Sequence, residues 1–380
     1  MNIDSRWDVI IIGAGPAGAL AACLLADKAR VLIVEKAAFP RSKVCGSCIN
    51  TTAIELLRAN SLETVLTESH AIALKHLQLF ENTKSARINL TGGVALSRRQ
   101  LDMALVNRAI ERGATFLDST SAELSATTNG ARIVEIDDKA LKASVVLVAD
   151  GLSGRALRRL EEFNPTISET SRFGCGTTIE CNDPFFETGV IYMACSDEGY
   201  VGAVRLEDGK LDIAAAFDKN FSRTQGNSAN AVATVFVQNG IPVPSGIFEV
   251  HWMGTDSLTR TRSKVAAERI FLVGDACGYA EPFTGEGIAW AMTAANAVVP
   301  HALNAIAGWN DSLIETWENE YAKNIRTKQK RSALIAKGLR SNMIRNIAVP
   351  LISAFPTVAR SIVDHISTPA LWRELCPQEF

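Results

Sequence analysis

Asp8-Val9-Ile10-Ile11-Ile12-Gly13-Ala14-Gly15-Pro16-Ala17-Gly18 is the stretch whose reading decides the fold. Val9 to Ile12 are all β-branched and apolar, which reads as a strand buried on both faces. The three glycines then break the strand at G-x-G-x-x-G spacing, and an Ala/Leu-rich helix follows from about Ala17 to Ala26. A second apolar run, Arg30 to Val34, ends at Glu35. Strand, glycine turn, helix and strand make a βαβ unit. Gly13 permits the tight turn, Gly15 leaves room for a diphosphate to approach the backbone, and Gly18 lets the helix pack close to the sheet. The phosphates of a dinucleotide would meet unpaired N–H groups at the helix start beside Ala17. Glu35 stands where a carboxylate accepts hydrogen bonds from the adenosine ribose, with Lys36 next to it. The competing reading is a packing turn that does no more than start a helix.

Outward from this unit, Leu96 to Arg112 reads as a helix. Ser121–Thr127, Gly130–Ile136 and Lys142–Ala149 read as a hairpin returning to a core strand that ends at Asp150-Gly151. Residues 170–255 change to short extended runs, with Glu207-Asp208-Gly209-Lys210 as a hairpin turn. Val265 to Val273 returns to a buried strand before Gly274-Asp275, and a helix runs from Gly287. This predicts a discontinuous nucleotide-binding domain (1–169 with 256–310), an inserted antiparallel-sheet substrate domain (170–255) and a helical C-terminal region (311–380). Pro350 and Pro356 are expected to break the last helices.

The charge is nearly balanced, at −2 over 380 residues, so nucleic acid is not an expected partner. No run of 18 uncharged apolar residues predicts a membrane span, and the first residues lack a signal-peptide pattern. The expected location is cytoplasmic, with the eight cysteines as thiols. A basic stretch, Arg326 to Arg331, precedes the apolar Leu334, Ile335, Leu339, Met343, Ile344 and Ile347. Such a helix could touch a bilayer peripherally, close over a cavity, or pack on the body.

Three separated blocks together resemble the flavoprotein oxidoreductase superfamily of aromatic hydroxylases, geranylgeranyl reductases and flavin-dependent halogenases. They are the glycine loop with Glu35; Val145 to Gly151 followed by Ser153 and Arg155; and Phe271 to Ala276 followed by Pro282 and Gly285-Glu286-Gly287. The resemblance implies an α/β, Rossmann-like FAD-binding fold and FAD as cofactor. It puts Gly274 and Asp275 near the ribityl and diphosphate groups. Pro282, Gly285, Gly287 and Ile288 would border the flavin pyrimidine, where a helix N-terminus favours the negative charge of the reduced ring. Arg98, with Arg99 as competitor, would approach the phosphates. Asp150 is either a structural cap or a neighbour of the nucleotide.

Lys43-Val44-Cys45-Gly46 and Pro282 to Ile288 look like the geranylgeranyl reductase-like branch. No Trp-x-Trp-x-Ile-Pro stretch supports halogenation. The resemblance implies an oxidoreductase acting on a mostly apolar organic substrate. It works either by oxygen transfer from a flavin C4a-hydroperoxide or by hydride transfer from reduced FAD to a C=C bond. Cys45, Tyr200 and Glu286 are the candidate catalytic residues. Cys45-Gly46-Ser47-Cys48 is also a candidate redox pair, if Arg41 and Lys43 lower its thiol pKa. No second glycine motif is present, so NADH or NADPH would dock transiently, or a separate flavin reductase would supply electrons. A non-catalytic FAD-bound interaction protein is the alternative outside enzymology.

Overall fold

The computed structural model describes residues 4–355 apart from Asn129, Asp138, Pro282 and Thr284. Strand Arg6–Ile12 lies at the centre of a sheet. It pairs in parallel with Val31–Val34 on one side and with Lys139–Val148 on the other. Ile270–Leu272 and Thr115–Leu117 extend the sheet in parallel at either side. Ala122–Thr128 and Ala131–Ile136 add the expected hairpin to Lys139–Val148. Val9 to Ile12 and Val31 to Val34 are buried throughout, as a parallel sheet covered on both faces requires.

Helix α1 (Pro16–Leu25) is buried along its whole length, and its small side chains let it pack tightly against two further helices. These are α2 (Arg98–Glu111) and α3 (Gly287–Ala307). Two glycines let the turn and the first residues of α1 sit close against the sheet. A Cβ on Gly13, whose φ is +104°, would lie 2.4 Å from the Ala149 carbonyl oxygen. A Cβ on Gly18 would lie 1.9 Å from the Gly13 carbonyl oxygen.

The second sheet has seven strands, ordered Met253–Ser257, Phe173–Ile179, Leu211–Phe217, Gly199–Arg205, Val190–Cys195, His76–Glu81 and Lys84–Asn89. Its pairs are antiparallel except Val190–Cys195 with His76–Glu81, which is parallel. The division at residues 170 and 255 is therefore corrected. His76–Asn89 belongs to this sheet, and so does Met253–Ser257, so the chain leaves the nucleotide fold twice. The reason is long-range: the edge of Val190–Cys195 is satisfied by a strand over a hundred residues earlier. Alternation along the strands gives the sheet two faces. Tyr192, Ala194, Val201, Ala203, Ile213 and Ala215 pack under helix Ser228–Gln238. The intervening residues face the nucleotide fold. Glu207, at the tip of the predicted hairpin, accepts hydrogen bonds from Ser97 N at 3.0 Å and Ser97 Oγ at 2.6 Å, tying this sheet to the start of α2.

After helix Ser312–Tyr321 and a π-helical turn, the chain forms α4 (Thr327–Leu339) and α5 (Asn342–Ala354). Pro350 does not break this region as expected; it sits inside α5. A proline there deprives the carbonyl four residues back, that of Asn346, of its helical donor. Lys84 Nζ donates to that oxygen at 3.4 Å, while Arg345 and Val349 anchor the helix from its buried side. Pro356 lies outside the described residues.

Candidate functional site

A cavity of about 310 Å³ opens between the glycine loop and the seven-stranded sheet. Gly15, Pro16, Ala17, Gly274, Asp275, Gly285, Gly287 and Ile288 line it from the nucleotide side, with Arg98, Lys43 and Cys45. Tyr200, Gly202, Val204, Ala214, Ala216, Ile191 and Met193 line it from the sheet, the face opposite the covering helix. Two helix N-termini reach this space, and neither α1 nor α3 has a side-chain cap on its first N–H groups. Each can therefore bind an anion or a developing negative charge.

The phosphate end is built by a buried carboxylate that holds two guanidinium groups. Arg98 and Asp102 stand four residues apart on α2. Arg98 donates to Asp102 from Nε at 2.9 Å and from Nη2 at 2.7 Å. Arg41 Nη1 donates to the same carboxylate at 3.0 Å. A Cβ on Gly15 would meet only these cations, Arg98 Nη2 at 3.4 Å and Arg41 Nη2 at 3.8 Å. A bare backbone facing two fixed guanidinium groups fits a diphosphate. Burial alone would weaken the charge on Arg98, but Asp102 outweighs it and holds the group protonated. Arg99 turns away and donates to the Pro40 carbonyl, so α2's phase separates the two arginines.

Glu35, at the end of its strand, accepts from Ala14 N and Ala37 N at 3.0 Å each, bracing the glycine loop. Lys36 is exposed and does not line the cavity. Asp150 accepts from Ala156 N at 2.9 Å, a structural cap, while its other carboxylate oxygen is buried without a partner. Its neighbours Ala149 and Gly151 line the cavity. Asp275 and Lys43 face each other across the lining. Burial pushes the Asp275 carboxyl up, opposed by Lys43 and Arg98; burial pushes the Lys43 ammonium down, reinforced by Arg98. Lys43 keeps accessible surface because it faces the cavity, yet protein surrounds it there.

Cys45 and Cys48 are both free thiols on the lining. The expectation of a lowered pKa fails: burial raises both, and for Cys45 it outweighs the opposing pull of Arg98. Tyr200 packs edge-on against Phe283 at 5.1 Å between ring centres, and burial raises its phenol well above the usual range. Glu286 is buried at the start of α3 and is not among the cavity's lining residues. Pro282 lies outside the described residues. Tyr192 and Trp290 are core residues away from the cavity. Sequence reasoning missed Arg41 and Asp102 as a unit. The four-residue spacing of Arg98 and Asp102 was visible, but nothing local brings Arg41 to them.

A glycine cradle over paired arginines, a second helix N-terminus and an apolar chamber define a flavin-dependent oxidoreductase with FAD as its cofactor. The chain belongs to the FAD binding domain family, which matches residues 6–328. It is 25% identical over 318 residues to menaquinone reductase of Mycobacterium tuberculosis, covering 77% of this chain and 75% of the relative. It is 26% identical over 323 residues to digeranylgeranylglycerophospholipid reductase of Methanoculleus marisnigri, covering 80% and 78%. The flavin-dependent brominase Bmp2 triple mutant shares the fold, with a TM-score of 0.79 at 15% identity over 98% of this chain and 99% of that one. Among the described residues no helix is long and apolar enough to cross a membrane.

Proposed function

We propose that the enzyme reduces a carbon–carbon double bond in a long apolar substrate. The observation that carries this is the wall beyond the glycine loop. Leu74, Leu77, Leu90, Ile191, Met193 and Phe283 form it without an ionisable group. Asp275 is the only carboxylate among the described lining residues, and it faces the nucleotide side. Hydroxylating a phenol calls for a group to take the ring hydroxyl's proton; this wall offers none, and Lys43 and Asp275 line the nucleotide side instead. The names of the two reductase relatives support the same reading.

FAD, when bound and reduced, would supply the hydride. Arg98 and Arg41 would hold its diphosphate, and the N-terminus of α3 would favour negative charge on the ring. The apolar wall positions the double bond and excludes water. One carbon takes the hydride and its neighbour takes a proton. Cys45 and Tyr200 line the cavity and burial keeps both protonated, so we assign the donation to one of them, with solvent restoring the proton afterwards. Glu286 takes no part in this step. NADH, NADPH or an electron-donor protein reduces the flavin.

The test is anaerobic turnover of the reduced holoenzyme with polyprenyl-chain quinones or lipids, read by product mass. A gain of two hydrogens is expected. A product formed only with oxygen and carrying one added oxygen atom would overturn the proposal.

A further inference from the structure

Between Tyr321 and Phe355 the chain carries eight Lys and Arg residues and no Asp or Glu. The same segment holds seven of the eleven large apolar side chains exposed among the described residues. Met343, Ile347 and Leu351 recur every four residues on α5, so they form one stripe along it. Leu334 and Ile335 are exposed apolar residues on the neighbouring α4, and Ile344 of α5 lies within 4.0 Å of where a Cβ on Gly338 of α4 would stand. Met343 and Leu334 are 71% and 70% exposed, so this surface is bare. Lys330, Arg331 and Lys337 are exposed on α4 beside it.

This stripe is not a misplaced core face, because α5 already has one. Arg345 is buried against Glu81 at 2.7 Å and also pairs with Asp197. Val349 and Ile352 pack on Leu79, Ala86, Met193 and Phe283. The outer stripe is a second apolar face on an anchored helix.

We propose that this outer face of α4 and α5 docks on an anionic lipid bilayer. Exposed apolar side chains beside Lys330, Arg331 and Lys337 match acyl chains beneath negative headgroups. A second copy of the same face would bring cations against cations. Residues 356–380 hold Asp364, Glu374 and Glu379 against Arg360 and Arg373, which gives little excess of acid to match it. Docking would also leave only α5 between the lipid and one end of the cavity, since Met193 and Phe283 lie under the inner face of α5 and line that cavity.

Full-length holoenzyme is sedimented with vesicles of phosphatidylcholine, alone or with one-third phosphatidylglycerol. Binding is expected with phosphatidylglycerol, should fall as sodium chloride is raised, and should be weak without the anionic lipid. Ile347→Ser with Leu351→Ser should lower the partition constant about tenfold or more. Lys330→Gln with Lys337→Gln should do so by removing the salt-dependent part. Flavin absorbance and the unfolding transition should be unchanged in both variants, which excludes a folding defect. Vesicle binding equal to the parent in both variants would overturn the proposal. So would a protein that stays in the supernatant with anionic vesicles, as it would if residues 356–380 cover the face. A dimer in light scattering that Ile347→Ser with Leu351→Ser converts to monomer would assign the face to a second copy instead.

Discussion

Asp102→Asn separates what holds the phosphate end together from what the cofactor adds. The Asp102 side chain is 1% exposed and is shared by Arg98 and Arg41, whose side chains are 8% and 13% exposed. The amide keeps the shape but removes the charge, and it turns one acceptor oxygen into a donor facing a donor. Removing one partner of a buried pair costs about 3–5 kcal/mol. Arg41 retains Glu35 at 3.4 Å, so the lower end applies, about 3 kcal/mol. A bound diphosphate brings negative charge to the same two guanidinium groups. Saturating FAD should therefore stabilise the variant more than the parent, narrowing the gap by at least about 1 kcal/mol. Urea unfolding followed by tryptophan fluorescence, with and without FAD, reads both quantities. An apoprotein loss below about 1 kcal/mol would refute the buried-pair argument. A gap that FAD leaves unchanged would refute the placement of the diphosphate beside Arg98 and Arg41.

Gly15 and Gly18 should behave differently although they share one motif. Gly18→Ala forces a Cβ to within 1.9 Å of the Gly13 carbonyl oxygen, so it should destabilise the apoprotein by about 1–3 kcal/mol or more and abolish the yellow colour. Gly15→Ala has an allowed backbone, φ −77°, and its nearest neighbour is 3.4 Å away; the apoprotein should unfold as the parent does, while FAD titration shows at least about tenfold weaker binding. Parent-like FAD affinity in Gly15→Ala would show that no diphosphate approaches there. Burial pushes the Asp212 carboxyl, hydrogen-bonded to Thr178 at 3.3 Å, up to about 7. From about pH 4 to 7 the folded state keeps a proton that the unfolded state has released, so stability falls as pH rises through that window. Asp212→Asn should flatten this decline in urea unfolding measured across pH, and an unchanged slope would remove Asp212 as its cause.

The glycine loop was legible because its parts are contiguous: strand, turn, helix and second strand follow within residues 8–35. Its acid and its close-packing glycine follow from the same local spacing. Arg98 was preferred to Arg99 on resemblance alone, since adjacent residues differ only in helix phase, and phase has meaning only once the helix is docked. The aromatic residues show the same limit. Tyr200 faces the cavity and Tyr192 the opposite core because strand alternation sends them to different faces, and no local signal says which face meets the nucleotide fold. For Cys45 the charges nearby suggested an acidic thiol, but burial outweighed them.

By itself, then, the sequence determined the nucleotide-binding unit around Gly13, Gly15 and Gly18 and, through three blocks in order, the class of cofactor. These are short-range patterns that a strand and a helix impose on their own residues. Tertiary structure alone decided that His76–Asn89 completes the second sheet, that Arg41 joins Arg98 on Asp102, and that Glu286 is buried and does not line the chamber. Each of these depends on pairing, burial or phase between segments far apart in the chain, and the energy that selects them appears only when those segments pack together.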